Sequence, residues 1–187
     1  MPIQAWAAYE MHHDMFGFGA ITPAASWQGN VGTADTSSDY GVQLGVGYTF
    51  GDIFAYVNFE MLKYQSTLDP GLVPGGGDAT YKRNAFSVGA KWNVATGYFG
   101  GQFIKAFDGT CEFPAGTGAV GDCGNSGAWM VSAGYYHTLS KQTQAYVMAS
   151  YTDNSDLQFY STAGGAGVAT NLGATVWGVT VGLKHSF

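Results

Sequence analysis

The sequence predicts an all-β fold: an antiparallel transmembrane β-barrel meander of eight strands, one domain over residues 1–187. Three observations carry this. The last stretch puts Thr175, Trp177, Val179, Val181, Leu183, His185 and Phe187 on one parity and Val176, Gly178, Thr180, Gly182, Lys184 and Ser186 on the other, a strand with one greasy face and one small or polar face. Composition supplies the second, because a soluble domain is about a quarter charged and this chain is 11% charged with 16% aromatics. The third is an alternation of long loops with short turns along the whole chain.

These faces need two different solvents. No run approaches the roughly 18 consecutive apolar residues of a membrane-spanning helix, so a chain that meets lipid with this surface does so with strands, closed so that every backbone group is paired. The net charge of −6 and pI near 4.8 make nucleic acid a poor partner. Met1 to Trp6 has neither a basic nor an apolar export region. A barrel of the outer membrane must be exported, so the chain reads as processed or truncated.

The first strand is expected at Ile3 to His12, with Trp6 disturbing the alternation, followed by a turn-rich stretch to Ser37. The second, Ser38 to Phe50, is the cleanest: Tyr40, Val42, Leu44, Val46, Tyr48 and Phe50 alternate with Asp39, Gly41, Gln43, Gly45, Gly47 and Thr49. Its aromatics at both ends suit two membrane interfaces about 25 Å apart. Gly51-Asp52 fits a two-residue II′ hairpin. In the third strand, Ile53 to Gln65, Asn58 and Glu60 decide which face is wet, since an ionised carboxylate in hydrocarbon costs several kcal/mol.

A long loop from Ser66 to Ala79 leads to the fourth strand, Thr80 to Val94, with Phe86, Val88, Ala90 and Trp92 outward and Arg83 and Lys91 inward. After the turn Ala95-Thr96-Gly97, the fifth strand, Tyr98 to Asp108, has Gln102 and Lys105 on opposite faces, which leaves its facing open. A loop from Gly109 to Gly124 holds both cysteines. The sixth strand runs from Asn125 to Leu139, the seventh, after a Ser140-Lys141 turn, from Gln142 to Asn154, and a last loop leads to the final strand. Four long loops then lie on one side, with three short turns and both chain ends on the other. That asymmetry is the habit of outer-membrane barrels.

The segment Gly134-Tyr135-Tyr136-His137-Thr138-Leu139-Ser140-Lys141-Gln142-Thr143-Gln144-Ala145-Tyr146, followed by Val181-Gly182-Leu183-Lys184-His185-Ser186-Phe187, resembles the carboxy-terminal end of the general diffusion porins of Gram-negative bacteria, the proteobacterial sixteen-stranded type. In that family a Gly-Tyr-x-Tyr strand leads through Leu-Ser-Lys-Arg-Thr into a Tyr-bearing strand, and the chain ends Val-Gly-x-Arg-His-x-Phe. Here Gln142 and Lys184 stand where Arg is usual. Ala7 to Asp14 and Tyr48 to Gly51 are similar to the family's second half, so the likeness covers the chain but only half a porin. The resemblance implies a terminal Phe187 read as the assembly signal by the barrel-assembly machinery, a homotrimer among outer-membrane lipid and lipopolysaccharide in the cell outer membrane, and passive diffusion of small hydrophilic solutes and ions.

Cys111 and Cys123 share one of the long loops on the side placed outside the cell, and an oxidising compartment favours a disulfide between them, which closes a short segment and is worth up to about 3 kcal/mol on a chain-entropy argument. His12, His13 and Asp14 suggest a metal, but neighbouring strand residues point to opposite faces. His137 and Ser140 suggest a hydrolase pair, but no Gly-x-Ser-x-Gly elbow exists. No catalytic, metal or cofactor residue is therefore assigned, and the chain is read as no enzyme. Glu10, Glu60, Arg83, Lys91 and Lys184 are the candidate lumen-facing charges, able either to set a transverse field across a narrow pore or merely to be solvated in a wide one. The function read from all this is a passive diffusion channel. Its rivals are a self-sufficient eight-stranded barrel with a structural or adhesive role, closed as a small barrel, and a soluble lipocalin-like carrier.

Overall fold

The computed structural model describes residues 2–13, 34–68, 77–113, 123–156, 158, 160 and 171–186. They form one antiparallel sheet, with no helix among the described residues. Its strands are β1 (Ile3–His13), β2 (Ala34–Phe50), β3 (Ile53–Leu68), β4 (Gly77–Val94), β5 (Gly97–Ala106), β6 (Thr110–Glu112), β7 (Ala128–Thr138), β8 (Thr143–Asn154) and β9 (Thr175–His185). The order is β1-β2-β3-β4-β5-β7-β8-β9, with β6 paired to β4. This is the expected meander. The sheet does not close on itself: among the described residues β1 pairs with β2 alone and β9 with β8 alone. Closure as a small barrel is thus not the arrangement seen.

Register settles the faces. Ile3 lies opposite Tyr48, Tyr48 opposite Ala55, Ala55 opposite Ala90, and the row continues through Gly101, Ala133, Ala149 and Val179. Every strand therefore turns its larger apolar parity to the same side, as partners in an antiparallel pair share a face. Leu44, Val57, Val88, Trp92, Phe99, Val131, Val147 and Val181 are all open on that side. Such a continuous apolar surface far exceeds what a soluble monomer tolerates. Paired rings mark one margin of the band, where Trp92 stacks on Phe99 and Phe99 packs against Tyr135.

The connections follow local chemistry. Gly51 takes φ +59° while Asp52 stays at negative φ, the II′ pattern expected. Between β4 and β5 the turn is only Ala95-Thr96, because Gly97 already pairs with Val94 and His137. The β7–β8 connection is wider than the expected Ser140-Lys141 pair. The Ser140 hydroxyl accepts hydrogen bonds from the backbone of Gln142 (3.2 Å) and Thr143 (3.0 Å), which rounds the turn into four residues.

On the long-loop side the sheet grows past the apolar band. β2, β3 and β4 have 17, 16 and 18 residues, about 50–60 Å of strand against a band of about 25 Å. The expected fifth strand is interrupted there. Phe107 still donates its N–H to the Asn84 carbonyl (3.0 Å), but the Asp108 carboxylate turns aside to accept the Gly127 N–H at 2.7 Å. The chain returns to β4 as β6, placing Cys111 opposite Tyr81. Cys111 and Cys123 are joined as a disulfide with Cα atoms 5.4 Å apart, as expected. Cys123 packs with Ala79 and Tyr81 into a small buried cluster bordered by Tyr64, Cys111 and Phe113.

Candidate functional site

The other face is polar and locally ordered, and its contacts run sideways across strands. Trp6, the residue that disturbs the first alternation, lies on this face and donates its indole N–H to the Asn58 side chain at 3.1 Å. It reaches two strands over because Gly45 lies between: a Cβ there would meet the indole at 2.1 Å. Tyr56 crosses Gly89 in the same way and donates its hydroxyl to Gln102 at 3.1 Å. Gln102 thus belongs to the polar face. Lys105, on the opposite parity, stands beside Phe86 and Trp129 at the loop-side margin of the apolar face, which resolves the facing of β5.

Glu10, Glu60, Arg83, Lys91 and Lys184 all share the polar parity. Glu60 and Arg83 come together, carboxylate to guanidinium at 3.5 Å, both largely shielded, and the guanidinium also sits 5.3 Å from the Tyr160 ring. Glu10 faces His12 across 2.9 Å. A pocket of about 230 Å³ opens beside Glu60 and Arg83, with Ala85, Ile104 and Met130 in its wall. Lys91 lies away from this cluster, near the short turns, with its ammonium 4.4 Å from the Tyr98 ring. Lys184 lies two strands beyond Tyr136, beside Tyr146.

Between those two lysines stands a feature that sequence alone did not assemble. Tyr98, Tyr136 and Tyr146 are register partners on β5, β7 and β8, with centroids 4.5 Å and 5.4 Å apart and rings nearly parallel. Parity puts Tyr136 and Tyr146 inward, but only the register aligns them. The Tyr136 hydroxyl meets the Met148 sulfur at 2.8 Å.

At the loop end, Lys82 and Glu112 pair at 3.0 Å on the outer side of β4 and β6. The hydrogen bond from Lys82 holds the Glu112 carboxyl below its ordinary range. Burial pushes the Tyr81 phenol up. His12 and His13 lie on β1 with opposite facing, and Asp14 and Phe187 lie outside the described residues. Among the described residues no three His, Cys, Asp or Glu side chains are grouped to hold a metal ion.

A band made for lipid on one face and a hydrogen-bonded polar wall on the other narrow the kinship, and comparison decides it. The profile of the Gram-negative porins matches residues 2–157. The chain belongs to the Gram-negative porin family. Its place is accordingly the outer membrane. Among solved structures it is similar to an anion-selective porin from Comamonas acidovorans, with a TM-score of 0.61 and 24% identity over 81% of this chain. The match takes in 40% of that porin, so the chain spans less than half its length. A search of curated protein sequences finds no significant match.

Proposed function

We propose that this chain forms part of the wall of a passive, non-catalytic diffusion channel, its polar face lining water and its apolar face meeting lipid. The observation that carries the reading is the shared parity of every strand: the register leaves a continuous apolar band on one side while charges and hydrogen-bonding groups occupy the other. Small hydrophilic solutes and ions are the cargo that such a wall suits. In this reading the channel is a homotrimer in lipopolysaccharide-bearing lipid, and the barrel-assembly machinery reads Phe187. Lys91 keeps a charge on the wall, whereas Arg83 and Glu60 form a local dipole on adjoining strands, so Lys91 carries more of any ion preference.

The test is ion current. Protein recovered from outer membranes and added to planar lipid bilayers should give stepwise, long-lived conductance in potassium chloride. Correctly inserted protein that leaves the bilayer insulating would overturn the channel.

A further inference from the structure

We propose that Lys63, Lys82 and Lys105 form a docking surface, on the lipid-facing side of the sheet, for the phosphate groups of a phosphorylated saccharide lipid in the leaflet on the long-loop side. The proposal rests on the apolar face meeting lipid, as in the reading above. Trp92 stands at the short-turn margin of the apolar band, and Lys82 lies on the same face of β4 near its other end, about 33 Å along the strand. At the 35–45° tilt of barrel strands that path rises about 23–27 Å, the height of the band itself. Lys82 therefore emerges at the opposite interface. Lys63 is its register partner and Tyr40 is the partner of Lys63, and Tyr40 is spaced from Phe50 on β2 as Lys82 is from Trp92 on β4, so the row continues an aromatic girdle.

Three of the chain's seven lysines and arginines stand on this margin, on the adjoining strands β3, β4 and β5, so cations are concentrated where a leaflet carries its phosphates. Lys63 lies directly opposite Lys82, and like charges in that position repel. Lys82 is matched by Glu112 at 3.0 Å. Among the described residues neither Lys63 nor Lys105 has a carboxylate within ion-pair distance. The Lys63 ammonium has the Tyr40 ring at 5.8 Å. Lys105 lies beside Phe86 and Trp129, where its stem can follow apolar surface and lift the ammonium toward water. A phosphate seated between the strands relieves the repulsion that the Lys63–Lys82 pairing creates.

The side chains above this row select the kind of headgroup. β3, β4 and β6 continue past it, and their outward side carries Thr67, Asp78, Thr110 and Glu112, all exposed. Asp78 is already engaged, accepting hydrogen bonds from Gln65 at 2.7 Å and Thr67 at 2.8 Å. From Lys82 to Asp78 this polar wall runs about 13 Å along the strand. A wall of that depth, bearing hydroxyls that both donate and accept, faces a sugar headgroup better than the thin headgroup of a glycerophospholipid.

Protein extracted from outer membranes in mild detergent and stripped of lipid is titrated with diphosphorylated lipid A, with its dephosphorylated form and with phosphatidylglycerol, and bound lipid is counted by native mass spectrometry. Diphosphorylated lipid A should bind tightest, with the other two weaker by roughly fivefold or more, the scale of one lysine at an anionic lipid surface. Lys63→Gln and Lys105→Gln should each lose about the same factor, whereas Lys141→Gln, in the β7–β8 turn at the other margin, should leave binding unchanged. Glu112→Gln should strengthen binding, because it frees the Lys82 ammonium. Equal binding of the dephosphorylated lipid, a preference for phosphatidylglycerol, or weaker binding by Glu112→Gln would overturn the docking surface. The two readings fail separately: potassium chloride currents without a phosphate preference sink the docking surface alone, and a phosphate preference without currents sinks the channel alone.

Discussion

At single residues the polar face is set by groups whose charge is either matched or left open. Arg83 has Glu60 at 3.5 Å, while Lys91 has the π-face of Tyr98, which attracts the ammonium without cancelling its charge. Lys91→Gln should therefore shift the reversal potential under a potassium chloride gradient toward cations, and Arg83→Gln should shift it less. A larger effect of Arg83→Gln would make Arg83 the residue that sets the preference. Tyr81 offers a test at the loop end. Burial raises its phenol, so its contribution to stability is fully present below the ordinary tyrosine range and is lost as pH rises through the raised value. In an ultraviolet difference titration, the ionisation missing from Tyr81→Phe should lie above about pH 10. A missing transition at or below that value would mean that the phenol meets water.

Among elements, β2 gives the cleanest test of facing. Leu44 stands between Ala7 and Phe59 on the apolar side, and Gln43 between Ala8 and Glu60 on the polar side. Leu44→Arg should cost about 2–4 kcal/mol of membrane stability, while Gln43→Arg gains a carboxylate neighbour and folds nearly as well. Equal folding yields in lipid vesicles would reverse the facing. The β6 region is held differently, by the Cys111–Cys123 bond over the Tyr81 cluster. Reduction should lower the urea midpoint, reflecting a loss of up to about 3 kcal/mol of stability, while the far-ultraviolet strand signal persists. β2 was legible in the sequence because Val, Leu and aromatic residues alternate strictly with Gly and polar ones, whereas β3 carries aromatics on both faces and took its facing from Asn58 and Glu60. Period two cannot say which residues meet two strands away, so the Trp6–Asn58 and Tyr56–Gln102 bonds and the tyrosine row needed the register. The loop-side extensions were missed because Ser66, Thr67 and Asp78 read as loop formers, yet beyond the membrane they pair as strand: Thr67 lies opposite Asp78 and donates its hydroxyl to it at 2.8 Å.

At the largest scale the described residues form a sheet with two edges, and a membrane penalises edges. Each unpaired backbone group in hydrocarbon forfeits several kcal/mol, and among the described residues β1 and β9 each have a neighbour on one side only. β9 shows the exposure most plainly, with Trp177, Val181 and Leu183 at least 70% open. Curling the sheet until β9 meets β1 would pair both edges, but an eight-stranded barrel is narrow enough for side chains to fill, and an aqueous channel takes about sixteen strands. The polar face carries Trp6, Tyr56, Tyr136 and Tyr146, which such a lumen would have to hold. Both edges are therefore expected to be satisfied by further strands in a larger barrel. Material extracted from outer membranes in mild detergent should migrate, unheated, as an assembly larger than the 19.7 kDa of this chain. The chain refolded alone should give no regular nanosiemens steps in a planar bilayer. A protease-resistant 19.7 kDa monomer that conducts in such steps by itself would show that these strands suffice to enclose a pore.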